Sequence, residues 1–352
     1  MKLFLRITLL LLLCTVLAYL TYTYLPIFTA LRITSKINNT VHTENNDPLS
    51  IEFMRTQKYD GSDLVIERVL STSGSYSEYI ASYRSEGLKI FGLLTVPNPS
   101  AGSGQVKPSS GWPVIVFNHG YITPSQYRTN ERYTAYVNGF ANQGYIVFKP
   151  DYRGHGSSEG NPEGAYFSPA YTVDVLNAVG SLKRYKDADP TKIGMWGHSL
   201  GGNITQRVIV VSNDIKAAVI WGGVVGSYTD MYELWFNKRQ RTQEATAQVR
   251  EHWRVGRVNF TQLHGTPDSN PTYWNTIDPA AHLQYINTPI QLHHARADET
   301  VNYQLSEELD KKLTKAGKPH ELHLYEDGDH NLTSSFNIAM QRSVEFFDKY
   351  LK

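Results

Sequence analysis

The sequence predicts an α/β fold built on a mostly parallel, doubly wound sheet. Three observations predict it. Short, continuously apolar runs recur along the 352-residue chain, and such runs suit parallel strands buried on both faces. Helix-like segments separate most of them, the alternation expected of βαβ units. At one strand-to-helix junction, "GMWGHSLGGN" at 194–203, a single hydroxyl, Ser199, stands among glycines.

The elements follow in order. Residues 76–97 hold two strand-like runs around Ser85-Glu86-Gly87 and read as a hairpin on the antiparallel edge of the sheet. Buried strands are expected at Val114–Phe117, 145–150, 192–197, 216–223, 289–295 and 320–326. Helices are expected at 126–142, 169–185, 200–212, 303–316 and 334–351, with Asn302 as an N-cap and Gly317 just past a C-terminus. Residues 229–288 break the rhythm. They offer no buried strand but contain Tyr232, Trp235, Phe236, Trp253, Phe260, Tyr273 and Trp274. An insertion of this length reads as a helical lid, with Trp235, Phe236, Trp253 and Trp274 as candidate substrate contacts. The competing reading is a helical decoration whose aromatics pack on the sheet.

The N-terminus is of another kind. Lys2 and Arg6 precede residues 7–28, which carry no charge. As a helix that run is about 33 Å long, enough for a hydrocarbon core of about 30 Å. No clean small-x-small cleavage site follows, so residues 1–30 read as an uncleaved signal anchor, with secretion after cleavage as the alternative. The basic residues keep the N-terminus cytoplasmic and put the rest of the chain outside. Residues 31–50 then form a polar tether, and 51–352 form the globular domain.

Composition excludes several roles. Lys plus Arg number 34 against 33 Asp plus Glu, so no basic excess speaks for nucleic acid. The single cysteine, Cys14, permits no intramolecular disulfide and no Cys/His metal spacing. No cofactor is expected. Asn203 and Asn331 sit in N-x-T triplets beside the proposed chemistry and read as chance matches rather than glycan sites.

Gly197-His198-Ser199-Leu200-Gly201 is G-x-S-x-G in a strand–turn–helix context. The turn is so tight that the residues two before and two after the serine must be small. It exposes the serine at a strand's carboxyl end and points the Leu200 N–H and the helix N-terminus at a developing oxyanion. A serine needs a base, and the elbow predicts the chain order serine, acid, histidine. "PIQLHHARADETV" exposes Asp298 after one strand, and "HELHLYEDGDHNL" exposes His330 after the last. Asp327 and Asp329 are the alternative acids. His293 and His294 are consecutive on a strand and read as one core and one surface residue. His198 reads as packing. Arg153 and His155 in "DYRGHGSSEG" read as structural. The second oxyanion donor is expected from "NHGYITP", at the backbone N–H of Tyr121.

These pieces together resemble the α/β-hydrolase superfamily over roughly residues 76–352. Within it, "SEGLKIFGLLTVP", "GYIVFKPDYRGHGSS", "DADPTKIGMWGHSLGG" and the stretch from Ile277 to His330 resemble the catalytic domain of the prolyl oligopeptidase family. The resemblance implies an α/β-hydrolase fold, Ser199 as nucleophile, Asp298 as acid, His330 as base and Tyr121 as oxyanion donor. It implies a serine-type peptidase acting on short peptides. A short pre-domain stands where family peptidases carry a β-propeller, and the elbow also resembles those of esterases and acyl-lipases, so a carboxylesterase or acyl-lipase is the alternative. A hydrolase-fold protein that binds without turnover is the alternative of another class.

Overall fold

The computed structural model describes residues 46–99, 105–162, 166–236 and 247–352, excluding the side chains of 247–255. The expected anchor at 1–30 and most of the tether lie outside the described residues. Among those described, no helix is long and apolar enough to cross a membrane. One compact unit runs Pro48–Lys352. It takes in Pro48–Ser50, which polar composition had assigned to the tether: Leu49 is buried, and its carbonyl accepts from the Arg207 guanidinium at 3.1 Å.

Nine strands form one sheet: β1 Val65–Thr72, β2 Tyr76–Ser85, β3 Leu88–Pro97, β4 Trp112–Asn118, β5 Ile146–Pro150, β6 Ala188–His198, β7 Ile215–Trp221, β8 Ile290–Ala295 and β9 His320–Tyr325. Their order is β1-β2-β3-β5-β4-β6-β7-β8-β9. The first three strands pair antiparallel and β3 meets β5 antiparallel. From β5 to β9 every pairing is parallel. The β2–β3 turn is two residues long, with Glu86 at φ 48° and Gly87 at φ 83°. Left-handed values at both positions match the twist of the flanking strands. The sequence reading missed β1, because its apolar residues come as the adjacent pairs Val65-Ile66 and Val69-Leu70 and give no alternation, in a strand that is nearly all exposed.

Strand β4 is buried along its whole length, as its apolar run predicts. Val114 and Val116 join one core cluster, with Met195, Ile220 and helices α3 (Ala170–Leu182) and α4 (Leu200–Val211). Ile115 and Phe117 join the other, with Trp196, Trp221 and helices α2 (Thr134–Ala141) and α9 (Phe336–Leu351). The period of two thus sorts each central strand between two helical layers. Helix α2 begins at Thr134, not at 126. The intervening loop is diverted to a buried carboxylate: Tyr127 Oη donates to Asp151 at 2.8 Å and Thr129 Oγ1 at 2.6 Å.

Between β7 and β8 the described residues are helical: α5 Tyr228–Met231, a π-helical turn Tyr232–Phe236, α6 Ala247–His264, α7 Pro271–Ile277 and a 3-10 segment Pro279–Tyr285. Helix α8 is Gln304–Lys315, and Asn302 Oδ1 accepts from the Gln304 N–H at 3.1 Å. Helix α1, Ile51–Thr56, lies ahead of the sheet in sequence and buries Ile51 and Met54.

Candidate active site

In the strand order, β4 leads left to β5 and then the chain returns to β6 on the other side of β4. The carboxyl ends of β4 and β6 therefore flank the switch point, where open α/β sheets place their crevice. Ser199 stands at the end of β6. Its backbone is at φ 55°, ψ −117°, a strained conformation for a residue with a Cβ. The surroundings hold it there. Ser199 N–H donates to the Trp221 carbonyl at 3.1 Å, and its own carbonyl accepts from Gly202 and Val224, each at 3.0 Å. A Cβ on Gly197 would collide with the Gly201 carbonyl and the Thr205 hydroxyl, and one on Gly201 with the Asn118 carbonyl. The requirement for small residues on both sides is thus met by direct contact of backbones. Thr205 Oγ1 ties the turn, donating to Gly201 O at 2.8 Å and accepting from Asn118 Nδ2 at 2.9 Å.

Asp298 follows β8 and His330 follows β9. The structure brings them together: His330 Nδ1 lies 2.8 Å from Asp298 Oδ2. A carboxylate only accepts, so Nδ1 carries a proton, and in the neutral tautomer the lone pair is on Nε2. The other carboxylate oxygen accepts from the backbone N–H groups of Thr300 at 2.8 Å and Val301 at 2.9 Å. Burial opposes ionisation of Asp298, but the hydrogen bonds from His294 and His330, and the positive charge these rings carry when protonated, outweigh it and hold the carboxyl well below its usual range. Asp329, an alternative acid, is occupied with its own loop. It accepts from Asn331 N–H at 3.0 Å, Thr333 N–H at 2.9 Å and the Thr333 hydroxyl at 2.8 Å. The Ser199 hydroxyl makes no side-chain capping bond to its own helix.

His294 corrects the sequence reading. Both His293 and His294 are fully buried. They do point to opposite faces, but each face of an interior strand is covered. His294 Nε2 donates toward Asp298 Oδ2 at 3.1 Å, and its Nδ1 accepts from Ser306 Oγ at 2.7 Å. Asp298 thus serves two imidazoles. The strand-end position of His294, four residues before the acid, was the signal available in the sequence.

Leu200 is the first residue of α4, so its N–H belongs to the unpaired first turn of that helix. Across the crevice, the Gly120 N–H donates to Tyr133 Oη at 2.9 Å, and Tyr121 follows it in the loop. His198 also does more than pack. Its Nδ1 meets Tyr133 Oη at 2.7 Å and its Nε2 meets the His330 carbonyl at 2.9 Å. Sequence reasoning missed Tyr133, and nothing local marks it. Arg153 is structural, with its guanidinium 2.7 Å from Asp174 and 2.8 Å from Glu86. Asn203 is buried and donates to the Val224 carbonyl at 3.2 Å, which leaves no room for a glycan.

The aromatic candidates whose side chains are described belong to the core cluster that Val114, Val116 and Ile220 share with helices α3 and α4. Trp235, Phe236 and Trp274 are all buried. Trp235 packs on Phe236 at 4.9 Å, and Trp274 on Tyr228 at 4.9 Å. Trp235 also reaches the acid's loop, donating from Nε1 to the Thr300 carbonyl at 2.8 Å. Trp253 lies on α6, and its side chain is outside the described residues. Among the described residues no group of His, Cys, Asp and Glu could hold a metal ion.

A G-x-S-x-G turn at the end of β6, with an Asp–His pair on the loops after β8 and β9 of a mostly parallel sheet, is the arrangement of an α/β-hydrolase. A family model described as serine aminopeptidase, S33, matches residues 112–335, and the chain belongs to that family. It is 27% identical over 268 residues to the uncharacterized peptidase YtmA of Bacillus subtilis, covering 76% of this chain and 91% of that one. It is 24% identical over 300 residues to human dipeptidyl peptidase 8, covering 80% of this chain but only 29% of that protein. These similarities bear out the resemblance to prolyl oligopeptidase-type enzymes. Among solved structures, acetyl xylan esterase from Paenibacillus sp. R4 superposes with a TM-score of 0.61 at 19% identity, over 86% of this chain and 92% of that one. Acylaminoacyl peptidase of Pyrococcus horikoshii does so with a TM-score of 0.60 at 20% identity, over 79% and 42%. Both likenesses show the fold. The chain is a serine hydrolase of the peptidase and esterase kind.

Proposed function

We propose that this chain is a serine peptidase acting on short peptides, with Ser199 as nucleophile, His330 as base and Asp298 as acid. The observation that carries the reading is the His330–Asp298 pair, 2.8 Å apart and next to the elbow. Ser199 Oγ attacks the scissile carbonyl and its proton passes to His330 Nε2. The backbone N–H groups of Leu200 and Tyr121 receive the oxyanion. The C–N bond then breaks, and the leaving amine takes the proton from His330. Water attacks the acyl-enzyme, giving its proton to His330, and the acid product leaves as Ser199 regains its hydrogen. Asp298 holds the imidazole in the Nδ1–H tautomer and stabilises the imidazolium.

Similarity to a peptidase over 91% of that relative's length supports peptide substrates without a large added domain. The second reading, ester hydrolysis, is favoured by the likeness to an acetyl xylan esterase over 92% of its chain. In that reading the insertion between β7 and β8 acts as a lid and its aromatics hold an acyl group. The deciding experiment is kcat/KM on a dipeptidyl anilide and an acyl ester of the same chromophore, with Ser199→Ala as the blank. Turnover of the anilide at a rate comparable to the ester supports the peptidase. Turnover of the ester alone, rising with acyl length, replaces it with the esterase. The apolar run 7–28 behind Lys2 and Arg6 further supports a signal anchor with the catalytic domain extracytoplasmic. Retention of the full chain in carbonate-washed membranes tests that. Release of the full chain into the wash would reject it.

A further inference from the structure

The hydrogen bonds around His198 can be assigned a direction throughout. The Gly120 N–H can only donate, so Tyr133 Oη accepts from it at 2.9 Å. At the other end the His330 carbonyl can only accept, so His198 Nε2 carries a proton and donates to it at 2.9 Å. In the neutral ring Nδ1 then takes the hydrogen of the Tyr133 hydroxyl, 2.7 Å away. With the ring neutral, every bond of this chain has a single direction. It starts in the loop that carries Tyr121 and ends in the backbone of His330.

The parts are closely fitted. A Cβ on Gly120 would stand 2.6 Å from Tyr133 Oη and 3.1 Å from His198 Nδ1. The His198 and His330 rings lie 4.6 Å apart. Burial, and next the neighbouring His330, push His198 down to about 3, so the ring is neutral at physiological pH. From the same end of α2, Tyr136 Oη donates to the Asn331 carbonyl at 2.9 Å. The start of α2 therefore grips both loops whose spacing the chemistry needs. Neither Tyr133 nor His198 has to touch substrate for this.

We propose that Tyr133 and His198 are positioning residues that fix the distance between the oxyanion loop at Gly120–Tyr121 and the base His330. The inference rests on the reading of Ser199 and His330 given above. A relay of this kind acts on the transition state, because misplacing a catalytic group by about 1 Å costs up to about 10²-fold in rate. Initial binding of substrate depends on it far less.

The test is steady-state kinetics on the better of the two chromogenic substrates, with thermal melting of each variant. Tyr133→Phe deletes one oxygen and leaves the ring. It is expected to lower kcat about tenfold to a hundredfold, with KM within about twofold of the parent. His198→Leu should do the same. His198→Gln keeps an acceptor and a donor on one side chain and should recover most of the loss. The double variant Tyr133→Phe/His198→Leu should lose no more than either single one, since both cut the same chain. If His198→Leu does not fold, Tyr133→Phe and His198→Gln still decide. An unchanged kcat in Tyr133→Phe, a loss confined to KM, or losses that multiply in the double variant would each overturn the relay. Ser199→Ala in the same assay separates the two claims. Activity that survives it overturns the catalytic reading and the relay together. Loss there, with full kcat in Tyr133→Phe, overturns the relay alone.

Discussion

Two regions of this molecule carry aromatic and polar side chains in quantity, and they are built on opposite logic. At the carboxyl ends of β6 and β8, Ser199 and Asp298 are placed by backbone requirements. Ser199 is held at positive φ by three main-chain hydrogen bonds, and Asp298 is fixed by two backbone amides of its own loop. In the segment between β7 and β8, by contrast, the aromatics are placed by packing: Trp235 and Phe236 on each other and on Tyr166, Trp274 on Tyr228 and Tyr232. A backbone requirement specifies one residue type at one position. A packed aromatic cluster accepts many solutions of similar volume. The first region should therefore be intolerant of single-atom changes, and the second tolerant of them.

The largest separation is expected in catalysis. Asp298→Asn should lower kcat by about 10³–10⁴-fold, because an amide can no longer stabilise the imidazolium and disturbs its tautomer. The folded state should remain, which circular dichroism can check. A loss under tenfold would mean another group orients His330.

Next comes a matched pair of glycines. Gly201→Ala drives a Cβ into the Asn118 carbonyl, and the elbow has no slack to yield. A destabilisation of about 3 kcal/mol or more is expected, or failure to fold. Gly256 lies inside α6, and a Cβ there meets nothing within 4 Å. Gly256→Ala should stabilise by about 0.5–1 kcal/mol through helix propensity. Urea unfolding of both variants measures the contrast directly. Equal effects would remove the distinction between the regions.

Trp235→Phe probes a bond linking the regions, from the indole to the Thr300 carbonyl two residues after Asp298. A fall in kcat/KM of about two- to tenfold is expected, far below that of Asp298→Asn. A loss as large as that variant's would make the insertion part of the catalytic frame.

The smallest effect concerns pH. Burial pushes His198 down to about 3 and pushes His119 and His293 down as well. A histidine ordinarily titrates near 6.5. Between about 6.5 and about 3 the unfolded chain binds the His198 proton and the folded chain does not, so stability is lost as pH falls through that window. The lowered carboxyl of Asp298 acts in the same direction at lower pH. Tm should drop between about pH 7 and pH 5, and less steeply in His198→Gln. An identical slope in the two proteins would show that His198 titrates normally.

The same contrast explains what could be read from the sequence. The strand-end positions of Ser199, Asp298 and His330 were legible because glycine spacing and the ends of apolar runs allow few alternatives. The buried strands were legible because continuous apolar runs allow little else. β1 was not, since an exposed edge strand has no apolar period. His294 was misread because periodicity gives the face of a strand but not what covers that face. Tyr133 was invisible: it acts across 13 residues on Gly120 and 65 on His198, and no local pattern encodes such a contact. The aromatics of the insertion were visible as composition, yet composition alone leaves a lid and a packed decoration equally possible.

The central claim is that Ser199 is the nucleophile, and it is tested most directly by covalent trapping. The protein is treated with a fluorophosphonate probe, digested and mapped by mass spectrometry. One adduct, on the peptide containing Ser199, formed rapidly by the parent and absent from both Ser199→Ala and heat-unfolded protein, is the predicted result. A labelled parent with the adduct on any other residue, or no labelling under conditions where the protein turns over substrate, would contradict it.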